Sequence, residues 1–514
     1  MFQTGRLSGV LLPLFSLRSH DDLGIGDFGA IPGFLSWLTA AHQKMWMLLP
    51  LLPTAPGDSS PYATRCAFGL NPLFIHLGSV PEFVDAGGLA SFSEEERGAL
   101  EDARSASRVQ YDKVFPLKWA ALRRAFQRFE AASTGPRAQP FGAFLEAQVH
   151  WLDAYALYAA LTQDQGMRPW WEWPTGLRER NPEALGAVRK RLASEVRFQG
   201  WLQWVAHSQW AKVRLQAKES GVLLCGDEPF IIGQDSSDAW ANPEALRRDA
   251  RLGVPPDDFS ATGQDWGLPY FDFAHLQRDD YEWVKVRARQ SASYYDVRRV
   301  DHAVGYFRQY IRDEQSPSGR FVPGDEPSQR ALGERIFGIL SESAGIVAED
   351  LGVIPPFVRE TLTRLGIPGY RVMRWERDHG HYRNPREYPK ASLVTTGTHD
   401  TDTLRGWWES APDTERYAVA QVFPEFENMR HPPHELTPEV HTALLAAAEN
   451  AASDLCVLPW QDVLGSRERV NLPGSMSDSN WAYRMERPVE ELLQKQDTLG
   501  AAQRLAQLTQ AAGR

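Results

Sequence analysis

Eight short apolar runs punctuate the chain, at 45–49, 73–76, 222–225, 297–300, 346–348, 371–373, 393–396 and 455–458, each bounded by Gly, Pro or polar clusters. They are too short and too continuous for amphipathic helices, and read instead as strands buried on both faces of a parallel sheet. Helical patterns lie between several of them, at 329–341 and 356–365. Alternation of this kind defines an α/β fold, and eight strands suit a closed (β/α)8 TIM barrel. Average domain size would divide 514 residues into three or four domains. Barrels run long as one unit, however, so a single catalytic barrel domain over 1–514 is expected.

Two stretches interrupt the alternation. From Ser93, with Glu96 three residues on as a capping-box signature, to about Lys218 the chain is helical in period and poor in strands. We expect a helical insertion subdomain over 85–220, broken at 134–140 and at 167–174, where Trp170, Trp171 and Trp173 cluster. A loop-rich insertion over 236–276 directly follows a candidate strand, the place where barrels build active-site loops. The glycines at 24, 26 and 29 imitate a phosphate-binding loop without its strand-then-helix context or GxGxxG spacing, and read as a turn near the cleft.

Charge and composition remove several classes of function. The balance of 55 basic against 66 acidic residues, with no basic run, leaves nucleic acid without its main attraction. No window is apolar enough to cross a bilayer, and the run at 8–17 contains Pro13 and lacks a strong basic flank or an Ala-x-Ala site, so no membrane association and a cytoplasmic location are expected. Cys66, Cys225 and Cys456 are odd in number and far apart, which fits reduced buried thiols rather than disulfides or a CxxC metal site. Eighteen tryptophans suit stacking on sugars or bases, although most single tryptophans fill cores.

Four carboxylates stand just beyond candidate strands: Asp227, Asp301, Glu349 and Asp400. A lone acid there is as readily a turn or cap residue, but strand ends of a barrel converge on one cleft, and two of the four, Asp301 and Asp400, adjoin a His. Retaining glycosidic chemistry needs these residue types: a carboxylate nucleophile, a carboxyl that gives and later takes a proton, and support for an oxocarbenium-like transition state. Asp301 suits the nucleophile, with Arg299 two positions earlier on the same strand face. Glu349 suits the acid/base if burial raises its pKa, and Asp400 with His399 suits gripping sugar hydroxyls. A rival reading makes His399, Asp400, Asp402, Asp301 and His302 metal ligands, but no HxH or HExxH spacing accompanies them. A serine esterase would need a Gly-x-Ser-x-Gly elbow after a strand, and none is present. Neither metal nor cofactor is expected.

The motifs Ser60-Pro61-Tyr62, Ala67-Phe68 with Asn71-Pro72, Gly226-Asp227-x-Pro229-Phe230, Asp235-Ser236-x-x-x-Trp240-Ala241, Gly253-Val254-Pro255-Pro256-Asp257, Arg299-x-Asp301-His302, Ala348-Glu349-Asp350-Leu351-Gly352-Val353-Ile354, Gly397-Thr398-His399-Asp400 and Ser479-Asn480-Trp481 run in order along the chain. Together they resemble the amylomaltases, the 4-α-glucanotransferases of glycoside hydrolase family 77. The resemblance implies a (β/α)8 barrel with inserted subdomains and no metal requirement. It also implies transfer of α-1,4-glucan segments to glucose or another glucan, with maltooligosaccharides, glycogen or starch-like glucans and glucose as partners. By motif it implies Asp301 as nucleophile, Glu349 as acid/base, Asp400 as transition-state stabiliser, and Asp227, Arg299, His399, Tyr62 and Asn480 as substrate-binding support. Trp266 and Phe259 match aromatic positions near the acceptor sites. The chain departs from the family pattern at Met47, Ala63 and Thr401, and at Arg374-Trp375-Glu376-Arg377-Asp378, where the family run is more apolar and aromatic. An α-glucan hydrolase would use the same carboxylates. A non-catalytic glucan-binding protein fits less well, since nucleophile and acid/base are both kept.

Overall fold

A computed structural model of the protein describes residues 5–132, 135–255, 263–312 and 319–514. In chain order the strands are β1 (Leu7–Leu11), β2 (Met45–Met47), β3 (Leu223–Glu228), β4 (Leu246–Val254), β5 (Gln264–Phe271), β6 (Val297–Val300), β7 (Gln309–Arg312), β8 (Arg320–Val322), β9 (Gly345–Ala348), β10 (Gly369–Val372), β11 (Arg377–Asp378), β12 (His381–Tyr382), β13 (Ser392–Thr395) and β14 (Leu455–Pro459). Eight of them close a barrel in the order β1-β14-β13-β10-β9-β6-β3-β2, with β2 returning to pair with β1. All eight run parallel.

The apolar runs are unbroken because both faces of each strand are buried. Leu7, Leu11, Met45, Met47, Cys225, Val297, Val347, Tyr370, Leu393, Leu455 and Val457 pack together inside the barrel. Their alternating neighbours Val10, Trp46, Leu224, Val394, Cys456 and Leu458 join an outer layer under the helices. The three cysteines are free and buried, Cys225 and Cys456 in these layers and Cys66 in a separate cluster with Phe68, Trp151 and Ile232.

Seven of the eight runs become barrel strands, and the eighth is corrected. Residues 73–76 do not form a strand: Pro72 starts a 3-10 turn, Pro72–Phe74, whose cap Asn71 accepts the Leu73 N–H. A proline fixes φ and cannot donate to a ladder, so the turn wins over apolar composition there. The missing strand is β1, all five residues of which are buried. Its signal is blurred because the apolar run continues through Pro13 into the 3-10 turn Leu14–Ser16.

Between β2 and β3 lie the helices Glu94–Ser105, Tyr111–Ala131, Ala138–Ala147, Val149–Asp164, Pro182–Arg191 and Ala193–Glu219. Ser93 and Glu96 make both bonds of the capping box. The turn at 24–29 places Asp27 in the interior, where Lys118 of the helix Tyr111–Ala131 donates to it at 2.9 Å and also to the carbonyls of Leu73 and Ile75. Gly26 is required in this turn, because a Cβ there would lie 2.0 Å from the Leu14 carbonyl oxygen. The described residues of 236–276 are not loop-rich: they hold the helix Ser237–Ala241 and strands β4 and β5, which join β7 and β8 in an antiparallel sheet ordered β5-β4-β7-β8. Gly253, Gly263 and Gly267 obscured its strand period. Among the described residues no helix is long and apolar enough to cross a membrane.

Candidate active site

Strand alternation sorts the charges at the barrel's C-terminal end. On β3, Asp227 faces inward while Glu228 faces outward to Arg287 and Arg298. On β6, Arg299 faces inward, paired in register with Asp227 across the sheet. One Arg299 nitrogen, Nη1, donates to both oxygens of Asp227 at 2.7 and 2.8 Å and to Asp301 at 2.8 Å. Its guanidinium is 7% exposed and the Asp227 side chain 0%, whereas Asp301 is 26% open to the cleft. A single cation thus holds two carboxylates, one inaccessible and one presented.

Glu349 follows β9 and receives backbone N–H groups on both oxygens, from His302 at 2.9 Å and from Leu351 at 2.8 Å. The His302 donor is aimed by a left-handed backbone, φ 45°, uncommon for a residue with a side chain and a mark of a constrained turn. Burial pushes the Glu349 carboxyl up to about 7; Arg299 opposes the shift and the Asp301 anion adds to it. The acid is thereby held protonated near neutral pH while remaining able to ionise. His302 itself is driven down to about 4 by burial and stays neutral, its ring wedged between Trp266 at 4.8 Å and Phe230 at 5.5 Å.

His399 and Asp400 lie in the turn after β13. Nε2 of His399 lies 3.3 Å from Asp400 and 3.0 Å from the Tyr62 hydroxyl, which donates to Asp227 at 2.6 Å. Asp400 also accepts the Asn471 amide at 2.7 Å. Although burial opposes it, these partners hold the Asp400 carboxyl well below the usual carboxylate range. Tyr62 stacks on His399, and Trp481 packs against both rings. Tyr62, Asp301, His302, His399, Asp400 and Trp481 line one cavity of about 410 Å³. Trp266 and His302 also line a second cavity of about 250 Å³, walled by Tyr310 and Phe321 of the antiparallel sheet.

The structure therefore brings together Asp227, Arg299, Asp301, Glu349, His399, Asp400, Tyr62 and Trp266. Trp266 stands on strand β5 rather than in a loop. Asn480 is spent elsewhere: its amide bonds the backbone of Leu472 and Ser475 and closes its own loop. Phe259 lies outside the described residues. Asn471 and Trp481 are additions. Trp481 is part of a motif already singled out, although no role was read for it, whereas nothing local to Asn471 announces a partner 71 positions away.

Such a barrel and such a site define an enzyme of the glycoside hydrolase type. More narrowly, the chain belongs to glycoside hydrolase family 77, described as 4-alpha-glucanotransferase, whose sequence profile matches residues 12–490. It is 35% identical to the 4-alpha-glucanotransferase of Thermus thermophilus over 93% of this chain and 95% of that one. It is 33% identical to that of Chlamydia pneumoniae over 94% and 92%. An amylomaltase from Streptococcus agalactiae, solved in complex with acarbose, superposes with a TM-score of 0.83 at 26% identity, covering 99% of both chains.

Proposed function

We propose that the protein transfers α-1,4-glucan segments to glucose or another glucan by a retaining double displacement, within one catalytic unit. The observation that carries the reading is Arg299 holding Asp301, presented to the cleft, beside the buried Glu349 carboxyl, whose pKa burial raises to about 7. In the first step an Asp301 oxygen bonds to the anomeric carbon as the Glu349 proton passes to the departing glycosidic oxygen, leaving a glycosyl ester. In the second, an acceptor hydroxyl gives its proton to Glu349 and displaces Asp301. Asp400 and His399 grip ring hydroxyls from the opposite wall, Tyr62 fixes Asp227 and offers a stacking face, and Trp266 borders the route of the incoming acceptor. Maltooligosaccharides and starch-like or glycogen-like glucans are the donors we assign; the acarbose bound to the Streptococcus amylomaltase supports this reading. Three free, buried thiols support a cytoplasmic location. Chromatography of products from maltotriose tests the reaction: a ladder of longer oligosaccharides with glucose is expected, and glucose and maltose alone would instead mark a hydrolase.

A further inference from the structure

The turn that carries His399 and Asp400 is gripped from beneath by a buried cation. Arg374 follows β10 and is 7% exposed. Its Nε and Nη2 donate to the Thr396 carbonyl at 3.1 and 2.9 Å, and Nη1 donates to the Asp402 carbonyl at 2.9 Å. One rigid, planar group therefore ties the residue that enters the turn to the residue that leaves it. The guanidinium also packs on the Trp407 ring, 5.1 Å from its centre. Gly397 lets the chain settle on this support, since a Cβ there would come 2.5 Å from Thr401 Oγ1 and 3.2 Å from Arg374. Asp462 completes the arrangement, accepting the Thr396 hydroxyl and the Leu404 N–H, both at 2.6 Å.

Among the described residues, backbone carbonyls alone accept the hydrogen bonds of Arg374. A buried guanidinium is costly to desolvate, and its ordinary compensation is a bidentate carboxylate. Arg374 gives its hydrogen bonds to carbonyl oxygens, with Asp462 and Asp402 near enough to act only through charge. What this geometry fixes is the span of the 396–402 turn.

We propose that Arg374 is a positioning residue, which sets the height of His399 and Asp400 over the sugar that Asp301 attacks. The inference rests on the role given above to Asp400. Small displacements of a transition-state contact reduce turnover far more than ground-state binding. Arg374→Gln keeps one donor and loses the bridge, so kcat on maltotriose should fall about tenfold or more while KM changes less than about threefold. Arg374→Lys should recover part of the loss.

The deciding measurement is a double-mutant cycle with Asp400→Asn, read on maltotriose and on α-glucosyl fluoride below the melting temperature of each variant. If Arg374 acts through Asp400, Arg374→Gln should cost less than about twofold once Asp400 is an amide. An equal cost in both backgrounds, or an unchanged kcat in the folded single variant, overturns the proposal. Should Arg374→Gln fail to fold, Arg374→Lys carries the same comparison. If Asp400→Asn alone leaves kcat intact, the role given to Asp400 fails and this inference with it; if Asp400→Asn is damaging and Arg374→Gln is harmless, only the inference fails.

Discussion

At Arg299 one cation is divided between a buried carboxylate and an exposed one, and the consequences can be measured residue by residue. Asp301→Asn is nearly isosteric but cannot form a glycosyl ester, so transfer should fall by several orders of magnitude with the fold intact. The same change removes an anion that raises the Glu349 pKa. The Glu349 carboxyl of the variant, followed by infrared difference titration, should therefore ionise below pH 7. An unchanged or higher value would contradict the coupling. In the parent enzyme kcat/KM should decline as pH rises through about 7, because Glu349 must carry its proton to the leaving oxygen. The sign for stability agrees: a carboxyl raised above its unfolded value destabilises the fold as pH passes from the unfolded pKa through the folded one. Glu349→Gln should thus melt higher relative to the parent at pH 8 than at pH 5. It should also lose far more rate on maltotriose than on α-glucosyl fluoride, which needs no proton; equal losses would remove Glu349 as the acid. These residues were legible in the sequence because strand ends of a barrel converge, and placement alone selects them. Asn471 was not, and Trp481 stood in a named motif without a role, because their contacts with Asp400, Tyr62 and His399 depend on a long return of the chain that no local pattern encodes.

The element between strand and cleft that was least legible is the antiparallel sheet. Its glycines read as loop punctuation, yet β4 and β5 pair along most of their length and stand Trp266 between the two cavities. A ring on a strand is held more firmly than one on a free loop, which favours a steady role in excluding water beside the acceptor. Trp266→Ala should raise the ratio of hydrolysis to transfer with little change in melting temperature. A fall in melting temperature with an unchanged ratio would make the ring structural. The barrel strands themselves were legible from unbroken apolar composition, and the one misread stretch, 73–76, failed where Pro72 and the Asn71 cap impose a turn. On β1, a Cβ at Gly9 would lie 2.5 Å from the Met45 carbonyl oxygen of the neighbouring strand. Gly9→Ala should cost about 1–3 kcal/mol by overpacking, read as a lower melting temperature with kcat little altered.

Over the whole molecule, every group assigned to the reaction belongs to the chain itself. Excess EDTA should leave the rate unchanged, and a loss restored by a divalent cation would revive the metal reading of His399 and Asp400. Fold class was legible at this scale because alternation of strand and helix survives errors in any single element. Closure was legible only through the count of eight strands; which strands meet at the seam was not, since that depends on pairing between segments far apart in sequence. Leu7 lies opposite Leu455, and its N–H is taken by the Asp454 carbonyl. A ribosome makes β1 long before β14, and one edge of that strand then waits for a partner more than four hundred residues downstream. Throughout that interval the nascent protein carries an unzipped seam along β1, a template for wrong partners. The seam can close only when the strand at 455 emerges.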